Sequence, residues 1–317
     1  RWVVRKSLNI IHPDVIILME TEIWPNFVLQ AKARNIPLIL ANGRISDRSF
    51  PRYRMARKFL PPILDAIADY CMQSEQDSRR IRHLGAPSGR VRVTGNLKFD
   101  MQPPQIDSGE LAALRSQLRL PGDARIWVAG STHDGEEAQI AEVYQRLRKI
   151  CPELFLVLVP RHPERCRQVQ DDLGKQNIAT TLRSTLAEMR KDLQPGEILI
   201  VDTLGEVLKF YALSELVFVG GSLVDIGGHN ILEAAVLKKP VMYGSHMQNF
   251  KEIARLVRAA HAGLQVKNAD DLYRQMRILI ENPDEAIRIG ENGHHLLEQN
   301  RGATQRTLEV IDRRMLS

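Results

Sequence analysis

Cysteine is scarce: the 317 residues hold three, Cys71, Cys151 and Cys166. None lies in a CxxC pair, so neither a zinc knuckle nor a redox motif is visible. An odd, sparse set fits a reducing compartment. Long apolar runs are also lacking, and no stretch reaches the ~18–20 residues that a membrane span requires. The opening Arg1-Trp2-Val3-Val4-Arg5-Lys6 is too short for a signal peptide and carries no initiator Met, which leads us to expect a chain that begins mid-protein. Nine histidines are present, but none falls in an HExxH or similar spacing. No catalytic metal and no cofactor are therefore expected. No sequence repeat recurs at a fixed period.

What the chain does have is ordinary globular material, 44% hydrophobic and 26% charged. At ~100–200 residues per domain, its length suggests two domains, each with enough apolar residues for a core. The formal net charge of +6 favours anionic partners: phosphates, acidic lipids or nucleic acid.

Short apolar runs alternate with helical patterns throughout, which predicts parallel sheets covered on both faces. Residues 1–100 give about four strand–helix repeats and start abruptly, so this Rossmann-like half is expected to be incomplete. Residues 101–122 change character: Pro103-Pro104 and Asp107-Ser108-Gly109 suggest an interdomain linker with a short helix. The alternation restarts over 123–317, with about five strands, as a second Rossmann-like domain.

In open parallel sheets, ligands bind beyond the carboxyl ends of the strands, and the loops there are rich in polar residues. After Leu216–Val219 comes Gly220-Gly221-Ser222-Leu223-Val224-Asp225-Ile226-Gly227-Gly228-His229-Asn230, then a predicted helix carrying Glu233. Paired glycines let backbone approach a ligand. A helix starting near Asn230 would point its N–H groups at an anion, and Glu233 could accept both hydroxyls of a ribose. The alternative is a tight turn with an N-terminal Glu.

Gly130-Ser131-Thr132-His133-Asp134-Gly135-Glu136-Glu137 follows the first strand of this half. Ser131 and Thr132 can donate to a phosphate or sugar carboxylate, and Glu136 and Glu137 suit a first helical turn; an ordinary N-cap is the alternative. In Pro160-Arg161-His162-Pro163, Arg161 is placed for forked donation to phosphate. His162 is a second donor or a loop residue. Asp202 and Glu206 look like helix capping, with Leu204 and Gly205 as candidates to line a base pocket.

In the first half, Glu20 and Glu22 of Glu20-Thr21-Glu22-Ile23-Trp24-Pro25-Asn26 could bind acceptor hydroxyls, or Glu22 could simply start a helix. Asn42 and Arg44 follow the next strand as further acceptor-side candidates. Behind them Arg48, Arg52, Arg54, Arg57 and Lys58 interleave with Phe50, Tyr53 and Phe59 in a predicted basic helix. This is either a surface for an anionic membrane or a solvated face. No RNA-binding motif accompanies it, and nucleic acid is not expected.

Together and in this order, the Glu20–Asn26, Gly130–Glu137, Pro160–Arg165 and Gly220–Glu233 segments resemble the 3-deoxy-D-manno-octulosonic acid (Kdo) transferases of lipopolysaccharide synthesis. The resemblance covers essentially the whole chain. It implies the GT-B glycosyltransferase fold and transfer of Kdo from CMP-Kdo onto a lipid A precursor (lipid IVA), with inversion. It further implies a location on the cytoplasmic face of the Gram-negative inner membrane. By motif match, Arg161 would hold the CMP phosphate and Glu233 the ribose. Gly221, Ser222, His229 and Asn230 would hold the rest of the donor, with Ser131 and Thr132 facing Kdo. The family's N-terminal membrane-associating segment and its Ser-Val-Gly-Glu motif, whose Glu is taken as the base, do not occur in this sequence. The catalytic base is therefore unassigned, and an N-terminally truncated, catalytically incompetent nucleotide-binding fragment is one alternative. Another is a GT-B enzyme that uses a UDP-sugar, or a sugar-nucleotide 2-epimerase.

Overall fold

The computed structural model describes residues 2–186 and 192–315. The chain divides into two compact units, Arg1–Asp100 with Asn300–Ser317, and Met101–Gln299.

The first unit is built on four parallel strands in the order β1-β2-β3-β4. These are β1 (Ile16–Met19), β2 (Leu38–Gly43), β3 (Asp69–Met72) and β4 (Val91–Val93). Helices α1 (Trp2–Ile11), α2 (Pro25–Lys32), α3 (Phe50–Met55), α4 (Pro61–Leu64) and α5 (Glu75–Leu84) run before and between them. Every residue of β2 and β3 is buried, as a strand covered on both faces must be. Successive side chains go to opposite faces. Leu38, Leu40, Tyr70 and Met72 pack with Val28, Ile67, Ile81 and Leu84, while Ile39 and Cys71 pack with Val310 and Ile311.

That second face explains a departure from the expected boundaries. The closing helix, Ala303–Met315, belongs with the first unit and not with the residues that precede it. Its apolar stripe covers Ile39 and Cys71, and Arg314 Nε pairs with the nearly buried Asp69. The predicted linker, too, is part of a unit. Residues 101–122 cluster with the second unit through α6 (Ser108–Gln117), where Leu114 is buried and Arg115 donates to the carbonyls of Pro121, Gly122 and Ala124.

The predicted basic helix over 51–68 is two short helices with a turn between them, because Pro61 and Pro62 can start a helix but not continue one. The α5 helix is bounded by signals written in the sequence. Ser74 caps it by accepting from the Asp77 amide, and Gly85 ends it at φ +114°.

The second unit holds a parallel sheet of seven strands, two more than the sequence suggested, in the order β11-β10-β9-β5-β6-β8-β7. The strands are β5 (Arg125–Thr132), β6 (Leu154–Pro160), β7 (Thr180–Leu182), β8 (Ile198–Ile200), β9 (Leu216–Val219), β10 (Val241–Tyr243) and β11 (Leu264–Gln265). Connecting helices include α7 (Glu137–Leu147), α8 (Cys166–Gly174), α9 (Val207–Leu213) and α10 (Leu232–Ala235), with Lys251–Ala259, Ala269–Glu281 and Pro283–Asn300 following. The core gathers Trp127, Tyr144, Leu156, Leu158, Phe218, Met242 and Met276. From β5 the chain moves outward to β6 and on to β7 at the edge, comes back one place to β8, then crosses to β9 on the other side of β5. The strand order therefore reverses between β5 and β9, which is where such sheets open a crevice for a ligand.

Candidate functional site

The loops after β5 and β9 meet at this switch point. At Gly220 an added Cβ would lie 2.6 Å from both the Ser131 carbonyl and the Thr132 Cα. Only glycine permits that approach. Ser131 itself sits at φ +56°, a conformation uncommon for a residue with a side chain. Strand β5 shifts register against β6 between Gly130 and Thr132. The Arg161 amide, on the loop after β6, donates to the Thr132 carbonyl at 3.0 Å. Three strand-end loops are thus tied into one surface.

Glu136 holds the Gly220–Leu223 loop. Its carboxylate is fully buried and accepts from four backbone amides: His133 at 3.0 Å, Gly221 at 2.6 Å, Ser222 at 3.0 Å and Leu223 at 2.8 Å. The sequence suggested a helix-start role for Glu136, and it does stand at the N-cap of α7, but its side chain makes no cap hydrogen bond there. The paired glycines are expected to let this backbone approach a ligand. The amides of Gly221, Ser222 and Leu223 are already satisfied by an internal anion.

The charge available to a ligand comes from side chains. His133 Nε2 lies 2.8 Å from His229 Nε2, with the rings nearly parallel at 5.1 Å between centroids. His162 stands edge-on to His133 at 5.8 Å. Burial, then His133, Arg161 and His162, push the His229 imidazole down to about 4. Burial likewise lowers His133. Arg165 bridges Asp134 and Glu137 at 3.1 Å each, and burial raises the Glu137 carboxyl. Arg161 is exposed and within electrostatic reach of Glu233. Burial raises Glu233; the Asn230 amide and the Arg161 charge oppose it. Beneath them Tyr211 is fully buried, and an added Cβ on Gly130 would stand 2.0 Å from its hydroxyl.

The expected donor-side residues therefore divide. Ser131, Arg161, His162, Gly221, His229, Asn230 and Glu233 gather around the three strand ends, whereas Thr132, the last residue of β5, is fully buried and not open to a ligand. Ser222 turns inward: its hydroxyl donates to the Val219 carbonyl at 2.6 Å and accepts from the Gly244 amide at 2.8 Å. The helix expected from Asn230 spans only Leu232–Ala235, one turn, and has little dipole to offer an anion. Leu204, 83% exposed, and Gly205, at φ +79° with open space beyond it, lie after β8, outward of β6. Asp202 is not a helix cap. It accepts from the Ser184 amide and hydroxyl, while Glu206 is paired with Thr203 and Arg183. Sequence reasoning passed over the pairing of His133 with His229, 96 residues away, and the role of Glu136, three of whose four partners lie 85 to 87 residues away.

In the first unit, Glu20 lies between Arg44 and Lys98, 3.4 Å from each, at the carboxyl ends of the strands. Glu22 is apart from them and accepts from the Trp24 indole at 2.8 Å. Asn42, 3% exposed, lies within β2, with its side-chain oxygen accepting from the Leu97 amide. It braces the strand end and is not open to an acceptor. Among the described residues, no group of three His, Cys, Asp or Glu side chains is arranged to hold a metal ion.

Residues 1–101 match the family described as 3-deoxy-D-manno-octulosonic-acid transferase (kdotransferase). A 3-deoxy-D-manno-octulosonic acid transferase of Haemophilus influenzae is 37% identical over 97% of this chain and 71% of its own length. One of Rickettsia felis is 32% identical over 97% of this chain and 64% of its own length. Among solved structures, the C-terminal CMP-Kdo binding domain of WaaA from Acinetobacter baumannii is 31% identical with a TM-score of 0.54, covering 60% of this chain and 96% of that one. Anabaena HepE in complex with UDP covers 98% of this chain and 81% of its own at a TM-score of 0.62. At 14% identity that likeness concerns the fold alone.

Proposed function

Because the chain belongs to the 3-deoxy-D-manno-octulosonic-acid transferase family, glycosyltransferases of the GT-B fold, we propose that its second unit binds CMP-Kdo at the β5–β9 switch point. Kdo is then passed to a lipid A precursor. The observation that carries this reading is the convergence of Arg161, Asn230 and Glu233 from two strand-end loops, in a unit similar to a domain that binds CMP-Kdo. Arg161 would meet the phosphate with its forked donors, and Glu233 the ribose hydroxyls. Ser131 would face the sugar.

An inverting displacement must stabilise the departing cytidylate. Arg161 can supply that charge electrostatically, with ring N–H groups of the histidines around it as further hydrogen-bond donors, and we propose that no metal ion takes part. The test is a calorimetric titration of the chain with CMP and with UDP, EDTA present throughout. CMP is expected to bind more tightly, with the chelator making no difference. A preference for UDP would turn the assignment toward another sugar nucleotide.

No helix among the described residues is long and apolar enough to cross a membrane. We propose peripheral attachment to the cytoplasmic face of the inner membrane through α3 and the turn after it. Residues 51–55 and 57–59 are all exposed, with Met55 81% and Phe59 78% accessible. Arg52, Arg54, Arg57 and Lys58 surround them, with no acidic residue from Phe50 to Leu64. Cations among exposed apolar side chains suit an anionic bilayer surface. Removing two charges, Arg54→Ala with Arg57→Ala, is expected to weaken sedimentation with phosphatidylglycerol vesicles about tenfold or more. Equal binding by the variant would leave this patch a solvated face.

A further inference from the structure

The His133–His229 contact asks for chemistry that the donor reading does not use. Two ring nitrogens 2.8 Å apart share one hydrogen: one imidazole donates through Nε2 and the other accepts. Such a pair can carry a single positive charge without breaking. A proton added at Nδ1 of the donating ring leaves the bridging N–H in place and makes it charge-assisted. A second proton would break it.

Both rings lie over Gly221, where an added Cβ would be 2.9 Å from His229 and 3.3 Å from His133. The groups facing them are unevenly charged. From the loop after β6 come Arg161 and His162, and Arg165 follows them. From beneath comes Glu136, whose carboxylate is spent on four amides. Asp134 and Glu137 are paired with Arg165, while Glu233 faces Arg161. In the free protein, burial and these cations hold the pair neutral. An anion seated against Arg161 offsets that cation's share of the effect and sets a negative charge beside the rings, which favours the protonated form.

We propose that the His133–His229 pair is a charge-adjusting element of the site, taking up one proton as a phosphodiester anion settles beside Arg161 and so presenting a second cationic contact to it. The proposal rests on reading the site as one for a nucleotide sugar. It assigns His133 a part in binding, and it gives the site a cation that exists only when the anion is there to hold it.

The sign is testable. A group that gains a proton on binding makes affinity rise as pH falls, by up to about tenfold per pH unit for one proton. The probe is cytidine 5′-(methyl phosphate), a diester that does not itself titrate near neutrality. It is titrated into the full chain at about pH 6 in cacodylate and in Bis-Tris, buffers of different ionisation enthalpy. The apparent enthalpies are expected to differ by the heat of about half to one proton taken up. His133→Gln and His229→Gln should each bind more weakly and lose that difference. In the unsubstituted protein, ring 15N spectra at saturation should show one Nδ1 of the pair moving to its protonated position, a readout independent of how well the variants fold. Equal, non-zero heats in the two buffers, or an uptake undiminished in both variants, overturn the proton inference and leave the nucleotide reading standing. Silence from both the diester and CMP overturns the nucleotide reading, and this inference with it.

Discussion

Glu136→Ala should destabilise the second unit by about 3–5 kcal/mol, because it strands four amides at once, two of them buried and two part-buried. Each oxygen serves two of them. Oε2 accepts from His133 and Gly221, and Oε1 from Ser222 and Leu223. A buried N–H left without a partner costs about 1–3 kcal/mol, and local relaxation with water entry will recover part of the sum. Glu136→Gln is not a rescue. One oxygen still serves two amides, but the new NH2 group points donors at the other two, and a loss of about 2–4 kcal/mol is expected. The control is Glu142→Ala on the exposed face of α7, where only an i,i+4 pair with Arg146 is lost and little change is expected. Urea unfolding of the full chain gives the stabilities. Hydrogen exchange at residues 221–223 shows whether the loss is local to the loop. A Glu136→Ala protein as stable as the Glu142→Ala control would mean that the carboxylate does not hold this loop.

This dependence also shows what the sequence could and could not reveal. Local signals were legible: Ser74 and Gly85 bracket α5, and the apolar run of β6 announced a strand buried on both faces. The site loops were legible as well, because strand ends rich in Gly, Arg and His are where parallel sheets bind ligands. The edge strands β7 and β11 were not seen, since three and two residues are too few to show a period. The closing helix was read as part of the second domain. Its amphipathic pattern announces a buried face but not which core receives it, and Ile39 and Cys71 lie far away in the chain. For the same reason, Glu136 looked like a helix-start residue. Nothing near it in sequence tells that its partners are Gly221, Ser222 and Leu223, and those partners change the electrostatics of the site. With the loop amides satisfied from within, the anion of a ligand falls to side chains.

Arg161→Ala should therefore weaken CMP binding by about 1.5–3 kcal/mol, roughly 10- to 150-fold, the worth of a hydrogen bond to a charged group. The substitution is clean with respect to the fold. The part of Arg161 that ties the loops together is its main-chain amide, bonded to the Thr132 carbonyl, and its exposed side chain can be removed without touching that bond. Arg161→Lys keeps the charge but not the planar fork, so only part of the affinity should return. The loss has a second component, through Glu233. Arg161 is the cation that draws the Glu233 carboxyl down against the effect of burial. Without it, Glu233 is raised further, and its protonated form is a poorer acceptor for ribose hydroxyls. The two side chains should thus be coupled: in a double-mutant cycle with Glu233→Ala, the losses should fail to add by more than about 0.5 kcal/mol. The direction is fixed by the geometry. Once Glu233 is gone, removing Arg161 should cost less than it does in the intact site, because only the phosphate contact remains to be lost. Calorimetry with CMP on the four proteins measures each term. Unchanged affinity in Arg161→Ala would take this residue out of the site and leave His162 and the His133–His229 pair to meet the phosphate.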